Sequence, residues 1–235
     1  MRLSTVTLVP AQFRKNTFMK FCHNKVLVVH NFADKLNANI VPECSFDKRN
    51  LKVIYGGWIS PTRGLADVLK ILEILSNRGL LIELTLCGWG QEAEIDDLIT
   101  SSAEKGIRTV YLGQISQKAV IEELINCDLS FAFYDTSKPI NVQTASNKIP
   151  EILACSTVLV TSGGTLVEQS LSVADACVSY SGNAMVTAED IYNLFDNKMA
   201  LRKRLQNQNE YFRRYYNENE RVEAMDEMYG IIFRD

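Results

Sequence analysis

The residue types and spacings best suited to chemistry lie between Ser146 and Gly164. Ser146, Asn147 and Lys148 precede an apolar helical run, and Glu151 follows one turn into it. A helix start offers unpaired N–H groups and a partial positive charge, so it suits an anionic phosphate. Glu151 could accept hydrogen bonds from neutral hydroxyls such as those of a ribose. The segment therefore predicts a site for a nucleotide with a sugar attached.

Pro150 limits where this helix can begin. The residue before a proline is pushed away from helical geometry, whereas a proline within the first turn costs little because its missing N–H would be unpaired anyway. Two starts are therefore compatible with the segment, one at Asn147 and one near Ile149. We prefer Asn147, because Ser146 is a good N-cap. The N–H groups of Asn147, Lys148 and Ile149 would then point at a phosphate.

The elements that must position this segment alternate along the chain. From Leu51 onward, apolar strands alternate with helices of about 10–15 residues, which predicts a parallel sheet covered on both faces. Right-handed crossovers make such an α/β sheet doubly wound, and ligands bind at the carboxyl ends of its strands. A loop is expected from Tyr134 to Ala145. We predict strands at 53–55, 81–86, 109–112, 129–133, 158–161 and near 177–179, and helices at 65–78, 91–105 and 117–126.

Glycines follow the predicted strands. They are Gly56, Gly57, Gly88, Gly90, Gly113, Gly163 and Gly164. Any one of them is typical of a tight turn, but several strands that end in this way predict a ligand-binding edge of the sheet.

The two ends of the chain differ from this middle part. Residues 1–34 show a strand at 4–9, a helix at 11–22 and a strand at 25–29, and residues 35–50 are a polar linker. The alternating pattern occupies 51–187, and 188–235 is helical and charged. Aromatic and arginine side chains at 211–216 could stack on nucleic acid, but we favour a stripe that packs on the protein, because the chain is acidic. The C-terminal helices are predicted at 188–195, 197–217 and 219–233.

Composition excludes several classes of function. The chain has 235 residues, a net charge of −3 and a pI near 5.6, so no basic field indicates nucleic acid. No apolar run reaches the roughly 18–20 residues that cross a bilayer. Six scattered cysteines without a Cys-x-x-Cys spacing are typical of reduced thiols, and two histidines argue against a zinc site. We expect a cytoplasmic protein, with peripheral attachment to the inner membrane surface as an open alternative.

The order of the motifs resembles the C-terminal, donor-binding half of a retaining glycosyltransferase of the GT-B fold, and in particular group 1, or family 4. The resemblance covers nearly the whole chain and depends on order and spacing rather than on one motif. Residues 3–31 resemble the last βα unit of the acceptor domain, and Val28–Asp34 resembles the junction between the halves. Most of an acceptor domain is therefore expected to be absent. The matching segments are Val53–Leu65, Leu84–Gly90, Val110–Gly113, Cys127–Leu129, Asn147–Ala154 and Gly163–Gly164 with Glu168.

This resemblance implies roles for individual residues. Glu151 matches the carboxylate that binds the ribose hydroxyls. Eight positions earlier, where the family has a carboxylate that contacts the donor sugar, this chain has the uncharged Gln143. Arg63 matches a phosphate-binding lysine and can contact a diphosphate with two hydrogen bonds. Trp58 replaces the family's arginine, so it is expected to pack against the donor or the partner domain while Lys148 supplies the missing positive charge.

Further positions are implied to line the substrate. Gly57 would let the backbone approach the diphosphate, and Gly88 lies in the corresponding turn of the second strand. Gln114 and Ile115 are candidates for the nucleobase site. The candidates around the sugar and the helix start are Asp135, Thr136, Asn141, Gln143, Thr144, Ser146 and Asn147.

The implied activity is transfer of a sugar from a nucleotide-diphosphate sugar to an acceptor with retention. Arg63 and Lys148 would stabilise the charge of the leaving diphosphate, and with Glu151 we assign them as catalytic residues. No metal or cofactor is expected. The expected partners are the nucleotide sugar, an acceptor domain or partner chain, and a glycan or lipid-linked acceptor. The alternatives are a non-catalytic nucleotide-binding partner subunit, a sugar-nucleotide epimerase-like domain, and a doubly wound interaction domain without a ligand.

Overall fold

The fold is given by a computed structural model that describes residues 5–22, 24–31, 49–216 and 218–233. The N-terminal part holds β1 (Val6–Val9), α1 (Gln12–Phe18) and β2 (Lys25–Val28), and β1 and β2 form a two-stranded parallel sheet. Most of the predicted linker, the end of the predicted junction and Cys44 lie outside the described residues.

A six-stranded parallel sheet forms the centre of the chain. Its strand order is β5-β4-β3-β6-β7-β8, so the winding direction changes between β3 and β6. The strands are β3 (Asn50–Ile59), β4 (Leu81–Gly90), β5 (Ile107–Tyr111), β6 (Leu129–Ala132), β7 (Val158–Ser162) and β8 (Val178–Tyr180). The helices are α2 (Leu65–Asn77), α3 (Glu92–Glu104), α4 (Gln117–Ile125), α5 (Pro139–Val142), α6 (Lys148–Ala154), α7 (Leu166–Val173), α8 (Ala184–Asp196), α9 (Lys198–Tyr215) and α10 (Glu218–Ile232).

Two apolar layers cover the two faces of this sheet. Residues of α2, α3 and α8 pack on one face, where Val68, Leu72 and Leu75 of α2 are fully buried at spacings of three and four. Residues of α4, α6, α7 and α9 pack on the other face. The prediction of a doubly wound α/β sheet with C-terminal helices is confirmed, since hydrophobic strands are buried on both faces only in such an arrangement.

The aromatic stripe of α9 packs on the protein, as predicted. Tyr211 and Phe212 are buried, and the Tyr211 hydroxyl lies 2.9 Å from Ser170 Oγ of α7. The Gln208 amide of the same helix is also buried, and it donates to the Thr157 carbonyl oxygen at 2.8 Å. Tyr211 and Phe212 therefore cover part of the core.

Several boundaries differ from the sequence prediction. β3 and β4 are longer than predicted and run through the glycines that were expected to follow them, because both strands stay paired over ten residues. α8 begins at Ala184, four residues before the helix predicted at 188–195, because the Asn183 side chain caps it by accepting from the N–H groups of Met185 and Val186. The predicted loop at 134–145 contains the single-turn α5.

Helix α7 was missed by the sequence prediction. Its signal is present in the chain as a capping box, in which Thr165 precedes Glu168 by three residues. The Thr165 hydroxyl accepts from the Glu168 N–H at 3.1 Å, and the Glu168 carboxylate accepts from the Gly164 N–H at 3.1 Å. Within the described part of the chain, no helix is long and apolar enough to cross a membrane.

Candidate functional site

Paired glycines at the carboxyl ends of β3 and β4 expose bare backbone. Gly57 pairs with Gly88 and both have positive φ, +112° and +137°. A Cβ added to Gly88 would lie 1.9 Å from the Gly57 carbonyl oxygen, so the two strands approach each other more closely than any side chain would permit. This contact fixes the backbone of Gly57 at the edge of the sheet.

The helix that carries Lys148 begins one residue later than preferred from the sequence. Asn147 is the N-cap and Lys148 the first helical residue; Asn147 has helical φ and ψ, and its side chain makes no capping hydrogen bond. The Ser146 hydroxyl accepts from the Lys148 N–H at 3.3 Å, so it caps the preceding turn. Pro150 occupies the third position, inside the first turn where its missing N–H costs little. With only seven residues, α6 contributes a weak dipole.

The Lys148 side chain folds back over Gly57. Its Nζ and Cε lie within 2.9 Å of where a Gly57 Cβ would be, and Nζ is 5.0 Å from the centre of the Tyr55 ring. The pKa of Lys148 is lowered to about 8, mainly by burial; the nearby Arg63 charge contributes to this lowering, while Cys87 and Glu151 oppose it. Within the part of the chain that the structure describes, Nζ has no salt bridge or hydrogen-bond partner. A bound anion would give the Lys148 ammonium a partner of opposite charge.

One helical turn later, Glu151 faces the start of α4. Its carboxylate accepts a hydrogen bond from Gln117 Nε2 at 2.8 Å. Burial raises the pKa of Glu151, while the Gln117 hydrogen bond and the Lys148 charge oppose that shift. The sequence prediction did not include Gln117. The available signal was its position as the first residue of α4, directly after the Ser116 cap, where α4 faces the same sheet edge.

These groups share one cavity of about 160 Å³ between β3, α4 and α6. The structure therefore brings together Gly57, Lys148 and Glu151, three of the residues selected from the sequence. Gln114 and Ile115 lie in the loop that leads into α4; Gln114 is exposed, and Ile115 packs on the core. The cavity is lined by Ile54, Gly56, Gly57, Val120, Leu124, Ser130, Phe131, Lys148, Glu151 and Ile152.

Arg63 and Trp58 lie on the opposite side of the β3 end. The Arg63 guanidinium is exposed and its central carbon lies 5.3 Å from the centre of the Trp58 ring. The Tyr55 hydroxyl donates to the Arg63 carbonyl oxygen at 3.0 Å and so fixes this turn. Both side chains line a second cleft, of about 810 Å³, between the ends of β3 and β6, the place where the winding direction changes. Ligands of doubly wound sheets bind at such places.

Gln143 lies away from Lys148 and contacts α1. Its side-chain oxygen accepts from the Thr17 hydroxyl at 3.2 Å, and its carbonyl oxygen accepts from Arg14 Nε at 2.9 Å. Thr144 and Ser146 line a third cavity, of about 130 Å³, where the N-terminal part meets α6, α7 and α9. The structure therefore does not bring Gln143 together with the residues around Gly57.

Comparisons with known proteins extend this description. No protein-family model and no curated protein matches the chain. Solved structures do match, with 13% identity and a TM-score of 0.72 for a glycosyltransferase from Rickettsia africae ESF-5. Alr3699/HepE from Anabaena, in complex with UDP and glucose, gives the same identity and TM-score. A TarM variant from S. aureus, in complex with UDP among other ligands, gives 15% and 0.67.

The match covers most of this chain but less of its structural relatives. It spans 97% of this chain for the Rickettsia and Anabaena proteins and 95% for TarM. Of those proteins' own lengths, the chain spans 64%, 64% and 43%. At this level of identity the likeness is one of fold, and it agrees with the strand order and the helical layers described above. The chain has the fold of one Rossmann-like half of a GT-B glycosyltransferase.

Proposed function

We propose that this chain is the donor-binding half of a retaining glycosyltransferase of group 1, or family 4. It binds a nucleotide-diphosphate sugar and transfers the sugar to an acceptor, with retention, when paired with an acceptor domain. The structural relatives in complex with UDP support a uridine nucleotide as the first ligand to test. The described residues offer no observation that favours the non-catalytic subunit or the epimerase-like domain.

The Lys148 ammonium carries this proposal. Its pKa is lowered and its side chain is held over bare glycine backbone, and among the described residues it has no salt bridge or hydrogen bond. Keeping such a lysine charged is unfavourable for the free protein. A diphosphate would provide the opposite charge, and Gly57 would leave room for it. Glu151, one turn away, would accept hydrogen bonds from the ribose hydroxyls together with its present donor, Gln117.

The remaining assigned residues complete the proposed site. Arg63 would contact the diphosphate from the β3 side, and with Lys148 it would stabilise the negative charge that develops on the leaving group. Gln114 and Ile115 would contact the nucleobase. Lys148 is largely buried and held in place before the donor binds, whereas Arg63 is exposed and contacts the Trp58 ring.

An acceptor domain or partner chain is the proposed neighbour of the N-terminal part. β1 and β2 form a parallel sheet of only two strands. Parallel sheets are normally covered by helices on both faces, and two strands alone are marginally stable. Exposed apolar side chains next to it mark a surface that another unit would cover. They are Leu8, Phe18, Met19 and Phe21. We propose that the described N-terminal residues 5–31 belong to an acceptor domain, that 51–187 form the donor domain, and that the described helices after residue 187 pack on both; the predicted linker lies mostly outside the described residues.

We also propose that the protein acts in the cytoplasm, in polysaccharide biosynthesis, on a glycan or lipid-linked acceptor. The cysteines that the structure describes are free, and burial raises the pKa of the Cys87 thiol to about 11. Thiols in this state are typical of a reducing compartment.

Replacing Glu151 by Gln tests the two halves of the ligand separately. We expect Glu151→Gln to weaken UDP about tenfold to a hundredfold, because hydrogen bonds to a charged acceptor are lost, and to leave inorganic pyrophosphate unaffected. Isothermal titration calorimetry measures both affinities, with Glu104→Gln, at an exposed position of α3, as the matched control. If UDP, GDP and their sugars fail to bind or stabilise a folded sample, the proposed function is wrong.

The affinity for UDP should fall as the pH rises through about 8, the pKa of Lys148. The free protein loses the Lys148 proton in this range, whereas the bound diphosphate favours the charged form, so binding takes up a proton. Well above this pKa, the affinity for UDP should fall about tenfold for each unit of pH. Lys148→Arg keeps its charge throughout and should remove the slope. Equal slopes in the two proteins would contradict the role of Lys148.

A further inference from the structure

Two tryptophans stand side by side at the ends of the two central strands. Trp58 of β3 and Trp89 of β4 occupy paired positions, with ring centroids 4.3 Å apart and 41° between the ring planes. Their residues are 42% and 52% exposed. Exposed aromatic pairs beside a cleft are typical of binding surfaces, since burial would be the more stable state for such rings.

The pair is held in place before any ligand arrives. Gly57 and Gly88 precede the two tryptophans and lock the strands together, so the rings start from a fixed backbone spacing. The Arg63 guanidinium lies over the Trp58 ring at 5.3 Å and restrains it from the other side. A rigid aromatic surface loses little conformational freedom on binding.

Trp58 and Arg63 also form one wall of the 810 Å³ cleft, a volume within the range of about 300–1,000 Å³ that small-molecule sites occupy. Its charge differs from that of the Lys148 cavity. The cations in its lining are Arg63 and Lys138, and Lys138 is ion-paired with Asp135 at 3.4 Å. The carboxylates in the lining are Asp67, Glu94 and Asp135. Apart from Arg63, which we assign to the donor diphosphate, the charged groups of the lining are mainly carboxylates, so a neutral ligand with many hydroxyl donors fits this part of the cleft better than an anion.

We propose that Trp58, Trp89 and this cleft bind a neutral saccharide, and that this saccharide is the acceptor glycan. The C–H face of a sugar ring packs on indole, and its hydroxyls donate to the carboxylates of the cleft. The identification as acceptor rests on the proposed function; the binding of a saccharide does not. The donor half of the enzyme would then contribute directly to acceptor specificity.

Trp58 and Trp89 are the two tryptophans of the whole sequence, so tryptophan emission, excited at a wavelength that tyrosine does not absorb, reports on this surface alone. The full chain is titrated with maltose, cellobiose and lactose, with glycerol as a non-specific polyol, and tryptophan emission is recorded. We expect a saturable change with at least one disaccharide and none with glycerol. Trp89→Ala should weaken binding about tenfold or more, as for a central aromatic contact, and Trp89→Phe should retain part of it. Tyr229→Ala, which removes an exposed aromatic ring on α10, should bind as the unmodified chain does.

Circular dichroism and the unfolding midpoint show whether each variant is folded, and UDP titration of the unmodified chain separates the two proposals. If UDP binds but no disaccharide changes the emission beyond the glycerol control, the saccharide surface is wrong and the proposed function stands. Saccharide binding without binding of UDP, GDP or their sugars would support the surface and contradict the proposed function. If Trp89→Ala is folded and binds the disaccharide with unchanged affinity, the tryptophan pair is not the site. Failure of both ligands would overturn both proposals.

Discussion

Lys148→Met is expected to stabilise the free protein and to abolish tight binding of UDP. The pKa of Lys148 is lowered to about 8 by burial, against 10.5 for an ordinary lysine. A shift of this size corresponds to a cost of up to about 3 kcal/mol for keeping the side chain charged near neutral pH. Methionine keeps the apolar length of the side chain over Gly57 and Tyr55 without the charge. We expect a gain of about 1–3 kcal/mol in the free energy of unfolding at neutral pH.

The pH dependence of this gain has a definite sign. The folded-state pKa lies below the unfolded one, so between about 8 and 10.5 the unfolded chain binds more protons than the folded one. The stability contributed by this group therefore rises with pH in that window, and the cost is fully present below it. The advantage of Lys148→Met over the unmodified chain should accordingly shrink as the pH rises from 8 to 10.5. Urea denaturation at several pH values measures it.

UDP binding should change in the opposite direction. Loss of a charge-assisted contact with the diphosphate should weaken UDP about tenfold to a hundredfold. A variant that is more stable and yet binds less marks a group retained for function rather than for folding. Lys203→Met on α9, at an exposed position, is the matched control and should change neither quantity much. A Lys148→Met protein that is less stable than the unmodified chain at neutral pH would contradict this account.

Gly88→Ala is expected to cost about 3–5 kcal/mol of stability or to prevent folding. The added Cβ would meet the Gly57 carbonyl oxygen at 1.9 Å and its carbonyl carbon at 2.7 Å, and φ at this position is +137°. These contacts are with backbone of the neighbouring central strand, so no side chain can move aside. Separation of β3 from β4 would also displace Gly57, and UDP affinity should fall in whatever fraction remains folded.

Gly113→Ala separates the two causes of the stability loss expected for Gly88→Ala, which are the collision of the added Cβ and the positive φ. Its φ is +70° and an added Cβ would meet nothing within 4 Å, so the variant carries the backbone strain without the collision. We expect it to cost about 1–2 kcal/mol. Urea denaturation of both variants gives the comparison. Equal losses would show that the approach of the two strands is not as close as the structure has it.

The alternation of strands and helices was predictable because it depends on residues close together in the chain. Hydrophobic spacing within α2 and the apolar run of β7 each predict their own element, and the order of elements then implies a parallel sheet. Strand ends were harder to predict. Glycine normally weakens a strand, so Gly56 and Gly57 suggested a turn, whereas pairing with β4 extends β3 to Ile59.

Gln143 shows how far the sequence alone could predict which residues lie together in the site. The family resemblance implied that Gln143, eight positions before Glu151, contacts the donor sugar. In the fold its amide is bonded to Thr17 of α1, more than a hundred residues away in the chain. Gln117 is the reverse case: its position directly after the Ser116 cap predicts the first residue of a helix, but not its hydrogen bond to Glu151. Both placements follow from how helices pack, which local spacing does not encode.

By itself, the sequence determined the doubly wound α/β class, the position of Lys148 one turn before Glu151 on a single helix, and an excess of glycine at strand ends. Tertiary structure alone decided that Lys148 folds over Gly57, that Glu151 meets Gln117, and that the two tryptophans stand together beside a cleft. The physical reason is separation along the chain. Periodicity and capping act within a few residues, whereas these contacts join segments that meet only when strand register and crossover geometry are set.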